Sequence, residues 1–282
     1  MTSSAEPPSR TARLPEWIPR SLSELHGPRA GRVEPPLDLC RSGSTSYHVD
    51  GFRQRVALYE LVIVLLEAGL GLCEQYELFL AGGYAMKAHG LVDRPSKDLD
   101  FVTASPLPVD QLTEQVADGY RAQGFVVETA PGNHRFARLL VSDPSTGESC
   151  EIDLMKTTLR VSPIVVNSCP VVGFDDAVGL KMRAVHDRGI ARDLIDAASL
   201  AGEYGFERLE WLGRSHERDF SLERLASRLE AAEIRDDAEF EQYGLDHEEI
   251  QRIKRFAAEW AQDINLRLLE ESAFEADGAD PD

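Results

Sequence analysis

The sequence has 282 residues, of which 43% are hydrophobic, 30 are Lys or Arg and 49 are Asp or Glu. This length and composition are typical of a globular protein with one large domain or two modest ones. The formal net charge of −19 disfavours a long basic track for nucleic acid but leaves room for local basic pockets.

Three further features bear on where the protein acts. The longest apolar stretch, residues 61–73, is interrupted by Glu67 and is shorter than the ~20 residues that span a membrane, so no membrane partner is expected. The N-terminus is rich in Ser, Pro and Arg and has no apolar export signal, which predicts a cytoplasmic protein. The four cysteines form no CxxC pair, which argues against a zinc site or a disulfide framework.

The first predicted unit in chain order is a leader that covers residues 1–47. It holds seven prolines among serines and arginines and shows little hydrophobic periodicity, so we expect it to be partly disordered or loosely docked. A buried helix is predicted at 55–75, followed by a strand at 78–81 that stops at Gly82-Gly83. Helical character resumes at 84–88.

Residues 48–173 are expected to form a mixed β-sheet with flanking helices, and hence an α+β domain. Further strands are predicted at 99–103, 125–128, 135–142 and 151–156, with an amphipathic helix at 109–123. After residues 164–172 the pattern becomes helical, which marks the end of the sheet domain.

Residues 174–270 are expected to form a helical domain, and residues 271–282 an acidic tail. Asp175 or Asp176 is predicted to cap a helix that runs to about Arg188, and further helices are predicted at 192–201, 206–232 and 247–269. From Arg235 to the end the chain has fifteen acidic and five basic residues, so we expect the last dozen residues to be disordered.

A glycine pair, Gly82-Gly83, lies between a predicted strand and a helix, where the backbone approaches a ligand closely and the helix start offers N–H donors to an anion. Such a pair alone is more often an ordinary turn. Downstream, however, Asp98 and Asp100 are two residues apart on a predicted strand, so both carboxylates face the same side. Two like charges side by side are costly without a cation, which points to Mg²⁺ and to a triphosphate at the glycine pair.

A third carboxylate, Asp153, has apolar neighbours on both sides and is predicted to lie within a strand. If that strand pairs beside the strand of Asp98 and Asp100, three carboxylates converge on one metal site. Two metal ions there would clamp the attacking and leaving oxygens of an in-line phosphoryl displacement. Glu151 lies on the same strand face as Asp153 and is the alternative ligand.

The ordered set of motifs resembles that of the DNA polymerase β-like nucleotidyltransferases and, within them, of the AbiEii/AbiGii-type toxins of bacterial type IV toxin–antitoxin systems. The resemblance covers about residues 60–200 and rests on the glycine pair, on Arg94-Pro95-Ser96-Lys97-Asp98-Leu99-Asp100, on Asp153, and on the run from Lys181 to Asp196. It implies a small catalytic sheet domain followed by a helical domain. It also implies transfer of a nucleoside monophosphate from an NTP to an acceptor, which in characterised relatives includes the 3′ end of tRNA.

The resemblance also assigns roles that the residues alone do not. It implies that Lys181 binds the triphosphate and that Asp196 belongs to the active site, whereas by themselves Lys181 would be a solvated charge and Asp196 part of a local ion pair. Gly83 stands where the superfamily commonly has serine, which leaves Ser96 as a substitute contact to phosphate. The expected ligands of Mg²⁺ or Mn²⁺ are three carboxylates: Asp98, Asp100 and Asp153.

The leading hypothesis is therefore a metal-dependent nucleotidyltransferase toxin that acts on RNA, above all on the 3′ end of tRNA, blocks translation and is neutralised by a cognate antitoxin. Transfer to a protein hydroxyl or to a small molecule of the aminoglycoside type is the alternative activity, and a non-catalytic nucleotide-binding regulator is the alternative without catalysis. A basic surface near the site would favour RNA. The basic residues expected to form it are Arg135, Arg138, Lys156, Arg160, Lys181, Arg183, Arg188 and Arg192.

Overall fold

The computed structural model describes residues 45–278 except 93, 95 and 167, with the backbone alone described for residues 45–57 and 274–278. Almost all of the predicted leader, and residues 279–282 of the predicted acidic tail, lie outside the described residues. The described chain is a seven-stranded mixed sheet with flanking helices, followed by a run of helices. The α+β class expected from the sequence is therefore confirmed.

Two parallel strands lie next to each other near the centre of this sheet. The strands are β1 (Leu78–Leu80), β2 (Asp98–Thr103), β3 (Val126–Asn133), β4 (Phe136–Ser142), β5 (Ser149–Lys156), β6 (Ile164–Val166) and β7 (Cys169–Val171). Their order across the sheet is β3-β4-β5-β2-β1-β7-β6. The two central parallel strands are β2 and β5, and their register places Asp98 beside Glu151 and Asp100 beside Asp153. Strands β1 and β7 also pair in parallel. The pairing on which the three-carboxylate hypothesis depends is present.

Alternation along β2 and β5 separates an apolar face from a polar one. Leu99, Phe101, Ile152 and Leu154 are almost completely buried in the core. Because neighbouring strand residues point to opposite faces, the carboxylates of both strands share the other face. Helices α1 (Thr45–Tyr76) and α3 (Val109–Ala122) pack against each other and against the sheet.

The helices that follow the sheet bring a second set of side chains to it. Gly82–Ala88 forms the short helix α2, which contacts β2 and the first helix after the sheet. The helices after the sheet are α4 (Phe174–Asp187), α5 (Ala191–Ser199), α6 (Phe206–Arg214), α7 (Leu222–Glu230), α8 (Ala238–Glu241) and α9 (His247–Gly278). Helix α4 crosses from the helical half back onto α2, which places its residues beside the polar face of the sheet.

The helical pattern predicted over 206–232 is divided in the structure into two helices, α6 and α7, with a break between them. Within the break His216 and Phe220 are buried, and the Phe220 ring stacks on His186 with centroids 4.5 Å apart. Ser221 then caps α7 by accepting a hydrogen bond from the N–H of Arg224 at 3.1 Å. Burial of two side chains between the helices therefore outweighs continuous helix propensity here.

Other boundaries also differ from the expectation. Helix α1 begins at Thr45, ahead of the expected residue 55, and α9 continues to Gly278 through most of the predicted tail. Neither Asp175 nor Asp176 caps α4, whose N-cap is Gly173. No described helix is long and apolar enough to cross a membrane.

Candidate active site

Asp100 lies at the centre of the polar face of the sheet. Its carboxylate has neither a hydrogen bond nor an ion pair with any residue that the structure describes. Burial raises the pKa of Asp100 to about 6, and the neighbouring charges of Asp98 and Asp153 act in the same direction, whereas the charges of Lys181 and Arg192 partly oppose the rise. A carboxylate with a raised pKa and no direct partner among the described residues is suited to accept a cation.

Gly82 makes room for the Asp100 carboxylate. The backbone of Gly82 has a φ of +58°, and a Cβ built on it would lie 1.8 Å from Oδ2 of Asp100. Any side chain at position 82 would therefore displace the carboxylate as well as strain the backbone. The first glycine of the pair brings the α2 backbone directly against Asp100.

Ser96 occupies the space beside the second glycine. A Cβ on Gly83 would lie 2.8 Å from Oγ of Ser96. That hydroxyl donates a hydrogen bond to Oδ1 of Asp98 at 2.8 Å. Ser96 therefore sits where a serine side chain at position 83 would point, and in this structure its hydroxyl is bonded to Asp98.

Asp98 also receives a charged partner from the helical half of the chain. Nη1 of Arg192, on α5, lies 2.8 Å from Oδ2 of Asp98. Although burial alone would raise it, Arg192 and the Ser96 hydroxyl hold the pKa of Asp98 below its ordinary value. The two aspartates on one strand face therefore have pKa values shifted in opposite directions, because only Asp98 has a direct charged partner among the described residues.

Asp153 is held by an arginine from the neighbouring strand. Arg138 on β4 donates from Nε to Oδ1 of Asp153 at 2.6 Å and from Nη2 to Oδ2 at 2.8 Å. The third guanidinium nitrogen, Nη1, lies 2.7 Å from Oε2 of Glu151. Asp153 is buried beside Asp100 and Glu151 is exposed beside Asp98, so Asp153 is the better placed of the two candidate ligands.

Lys181 and Asp196 form a buried ion pair that also includes Arg94. Nζ of Lys181 lies 2.8 Å from Oδ2 of Asp196, and the guanidinium of Arg94 makes two hydrogen bonds of 2.5 Å to the same carboxylate. Burial disfavours the charge on Asp196, but Lys181 and Arg94 outweigh it and lower the pKa of that carboxyl. Lys181 is therefore a buried cation fixed by Asp196, and the default expectation of a solvated lysine is wrong.

These side chains surround a cleft of about 240 Å³ between the sheet and α4. Its walls include Gly82, Asp100, Arg138, Asp153 and Lys181. We call this space the active-site cleft. Asp98 and Asp196 do not line it, since Asp98 lies behind Ser96 and Arg192, and Asp196 lies behind Lys181.

The three aspartates do not form a ready-made metal site in this conformation. Among the described residues no group of three or more His, Cys, Asp and Glu side chains is arranged to hold a metal ion. The physical reason is visible in the contacts, because Asp98 is turned to Arg192 and Asp153 to Arg138. The donor chemistry nevertheless fits a hard cation, since three carboxylates share one face and the middle one has no ion pair with a described residue.

The expected basic surface beside the site is largely neutralised. Five of its eight residues pair with carboxylates: Arg138, Lys181, Arg183, Arg188 and Arg192. Sequence reasoning missed these pairings, although the alternation along β4 places Arg138 opposite Asp153 once the strands are paired. The contact between Arg192 and Asp98 joins residues 94 positions apart, and no local pattern signals it.

Comparison with solved structures finds similar proteins. The chain is similar to MenT4, nucleotidyltransferase toxin Rv2826c from Mycobacterium tuberculosis H37Rv, with a TM-score of 0.52 and 19% identity, covering 77% of this chain and 88% of that chain. It is also similar to JHP933 from Helicobacter pylori, with a TM-score of 0.43 and 18% identity, covering 79% of this chain and 98% of that chain. No curated protein matches the sequence.

The profile of one protein family covers most of the chain. The family is described as nucleotidyl transferase AbiEii toxin, type IV TA system, and its profile matches residues 74–277. The matched region contains both strands of the aspartate face and the helices that supply Lys181 and Asp196. With more than half of its length matched, the chain belongs to the AbiEii family of nucleotidyltransferase toxins of type IV toxin–antitoxin systems.

Proposed function

We propose that this protein transfers a nucleoside monophosphate from an NTP to RNA, with the 3′ end of tRNA as acceptor, in a reaction that depends on Mg²⁺ or Mn²⁺. Modification of that end would block translation, and a cognate antitoxin would neutralise the protein. One observation carries the proposal: Asp100 lies beside Asp98 and Asp153, without a hydrogen bond or ion pair to any described residue, at the wall of a cleft that also contains Lys181. Such a cleft suits a substrate that brings a cation and phosphates together.

The residues that would hold the metal are Asp98, Asp100 and Asp153. Carboxylate oxygens on one sheet face, together with phosphate oxygens of the substrate, are the ligands that Mg²⁺ prefers. When bound, the metal supplies positive charge to the phosphates and favours the ionised form of the attacking hydroxyl. To bind the metal ion, Asp98 would release Arg192 and Asp153 would release Arg138.

The side chains of the cleft have separate tasks in the proposed reaction. Lys181 binds the triphosphate as a point charge, and Asp196 positions it. Gly82 and Gly83 let the α2 backbone lie close to the phosphates, and Ser96 supports Asp98 as an outer contact. These assignments follow from burial and distance: Lys181 is 6% exposed and lines the cleft beside Asp100.

Asp153 is the group that we assign to the acceptor. Its carboxylate accepts the proton of the 3′ hydroxyl as that oxygen forms a bond to the α-phosphorus of the NTP. The bond from the α-phosphorus to the bridging oxygen breaks, and pyrophosphate leaves with the electron pair. General-base assistance of this kind is worth about 10²–10⁴ in rate, so Asp153→Asn should lower turnover more than NTP affinity.

The test is incubation of the purified protein with each α-labelled NTP, Mg²⁺ and total RNA. We expect labelling of tRNA, its loss on chelation of the metal, and its loss in Asp100→Asn. The exposed Asp110, on α3, provides a matched control, and Asp110→Asn should label tRNA normally. Labelling of a protein or of an aminoglycoside in place of RNA would establish the alternative acceptor, and absence of any transfer would favour a regulator.

A further inference from the structure

The basic residues near the cleft fall into two groups that differ in their partners. The first group is bound to carboxylates, as described above, so its charge is neutralised within the protein. The second group consists of Arg135, Lys156, Arg160 and Arg218, which have no carboxylate partner within the described part of the chain. Only three of these four were expected from the sequence, since Arg218 lies far along the chain in the break between α6 and α7.

All four residues of the second group line one cavity. Its volume is about 860 Å³, and His134 and the hydroxyl residues Thr157, Thr158 and Ser162 also line it. No Asp or Glu contributes to its described lining, although acidic residues outnumber basic ones by 49 to 30 in the sequence. We call this space the basic cavity. It is a local region of positive charge on an acidic protein.

The cations of the basic cavity are positioned without being neutralised. Nζ of Lys156 donates to the carbonyl oxygen of Leu107 at 2.8 Å, and Nη2 of Arg160 donates to that of Ser215 at 2.9 Å. A neutral carbonyl orients a cation and leaves its full charge available to an anion. Arg135 and Arg218 are exposed at the rim.

The loop that carries Arg160 is anchored from below. The buried carboxylate of Asp176 accepts hydrogen bonds from the N–H groups of Arg160 and Val161 at 3.0 and 3.1 Å. The same carboxylate lies 2.9 Å from Nε2 of His216, which is also buried. The wall of the basic cavity is therefore a fixed part of the fold.

The basic cavity lies at one end of the strands that border the active-site cleft. Phe136 and Met155 line the cleft, and their chain neighbours Arg135 and Lys156 line the basic cavity. Because neighbouring strand residues point to opposite faces, Arg135 and Lys156 leave the sheet on the face away from Asp153.

Phe79, which pairs with Val102 on β2, lines the basic cavity from the aspartate face, so the cavity spans the end of the sheet. Lys156 is three positions from Asp153 along β5, which corresponds to roughly 10 Å at the usual rise per residue. A short length of single-stranded RNA spans that distance.

We propose that the basic cavity binds the sugar–phosphate backbone of the RNA acceptor, just behind the nucleotide whose 3′ hydroxyl enters the active-site cleft. The inference rests on the proposed function and adds to it the surface that selects the acceptor. A cavity lined by cations and hydroxyl donors, with no carboxylate in its described lining, suits a polyanion such as RNA. Each RNA phosphate that contacts a Lys or Arg side chain releases its bound counterions, which favours binding. Proximity to Asp153 favours the substrate over an acidic protein partner as the occupant.

The test compares two charge-reversed proteins. The first carries Arg135→Glu and Arg218→Glu, both at exposed positions without described side-chain partners, so that folding is not at risk. The control carries Arg252→Glu and Arg255→Glu, at exposed positions on α9, and changes the net charge by the same amount. Binding of purified tRNA is measured in chelator at several salt concentrations, and binding of an Mg²⁺–NTP complex is measured separately.

We expect the first protein to bind tRNA on the order of tenfold more weakly or worse. A plot of the log of its tRNA-binding constant against the log of salt concentration should be less steep, by the amount expected for the loss of about two phosphate contacts. Its NTP affinity should be unchanged, its labelling of tRNA should fall, and the control should match wild type in every measurement. Wild-type tRNA affinity in the first protein would overturn the inference. If the first protein binds tRNA normally but the wild type labels tRNA, the inference fails and the proposed function stands. If the wild type labels only other acceptors, both the inference and the proposed function are contradicted.

Discussion

At the scale of single residues, the unpaired carboxylate of Asp100 makes the metal-free fold depend on pH. Its pKa is raised from 3.8 to about 6, first by burial and then by Asp98 and Asp153. A group with a raised pKa stabilises the folded state fully below about pH 4, and this contribution is lost as the pH rises through about 6. At neutral pH the ionised Asp100 therefore costs the metal-free protein stability.

Asp100→Asn should consequently be more stable than wild type at neutral pH when metal is absent. The expected gain is at most about 3 kcal/mol, from the shift of roughly two pKa units. Urea unfolding in chelator measures it, and the difference between variant and wild type should widen from about pH 4 to about pH 7. A difference that stays constant over this range would contradict the assignment of the titration to Asp100.

Arg138 acts as an internal substitute for the cation at Asp153. Arg138→Gln removes the guanidinium from both Asp153 and Glu151, so binding of Mn²⁺ without nucleotide should tighten. A like charge within ~4 Å opposes a second cation by about 1–4 kcal/mol, which predicts a gain of roughly tenfold or more. Calorimetric titration with Mn²⁺ measures the affinity.

The matched control for this change is Arg121→Gln. Arg121 also pairs with two carboxylates, Glu114 and Asp118, but on the surface of α3. Its replacement should leave Mn²⁺ affinity unchanged. If Arg138→Gln binds Mn²⁺ no better than Arg121→Gln does, Arg138 does not compete with the metal ion for Asp153.

At the scale of elements, Asp176 ties the loop at 157–163 to the start of α4. Burial opposes its charge, but the contact with His216 and the N–H groups of Arg160 and Val161 lower the pKa of Asp176. A lowered pKa means that this stability is present above about pH 4 and is lost as the pH falls below it. The adjacent Asp175 pairs with Arg208 at the surface.

Asp176→Asn should therefore destabilise the protein by about 2–3 kcal/mol at neutral pH, since bonds to an ionised acceptor are lost. Asp175→Asn, one residue away, should change the free energy of unfolding by less than about 1 kcal/mol. Denaturant unfolding measures both, and hydrogen exchange at Arg160 and Val161 should speed up only in the first variant. Equal effects of the two variants would show that the buried carboxylate does not anchor the loop.

Much of the sheet could be predicted from sequence, because period-two alternation and the glycine stops are local signals. The same alternation placed Asp98, Asp100 and Asp153 on one face once β2 and β5 were assumed to pair. The break between α6 and α7 could not be predicted, since it depends on burial of His216 and Phe220 against distant residues. The arginine partners of the aspartates were missed for the same reason.

At the scale of the whole molecule, the ion pair of Lys181 and Asp196 with Arg94 joins the sheet to the helical half. Arg94 precedes β2, Lys181 lies on α4 and Asp196 lies on α5. All three charges are buried, with side-chain exposures of 7%, 6% and 0%. The two predicted domains are therefore connected by charge inside the protein as well as by the chain.

Asp196→Asn should cost about 3–5 kcal/mol of stability, because it removes the charge of the carboxylate that two buried cations share, although Lys181 keeps Asp193 at 3.7 Å. Denaturant unfolding measures this loss, with the exposed Asp118→Asn as the control. NTP affinity should fall as well, since Lys181 loses the group that positions it. Wild-type stability in Asp196→Asn would mean that Arg94 and Lys181 are solvated and that the two halves are joined by packing alone.

Because residues of the cleft come from both halves of the chain, the cleft is complete only late in synthesis. Asp98, Asp100 and Asp153 leave the ribosome before Lys181, Arg192 and Asp196, and the earlier part of a chain folds first. Until α4 and α5 have emerged, the cleft has one wall and lacks Lys181. If Lys181 binds the phosphates as proposed, a chain that ends before Asp196 is expected to be inactive, so the producing cell would require protection only after synthesis has passed Asp196.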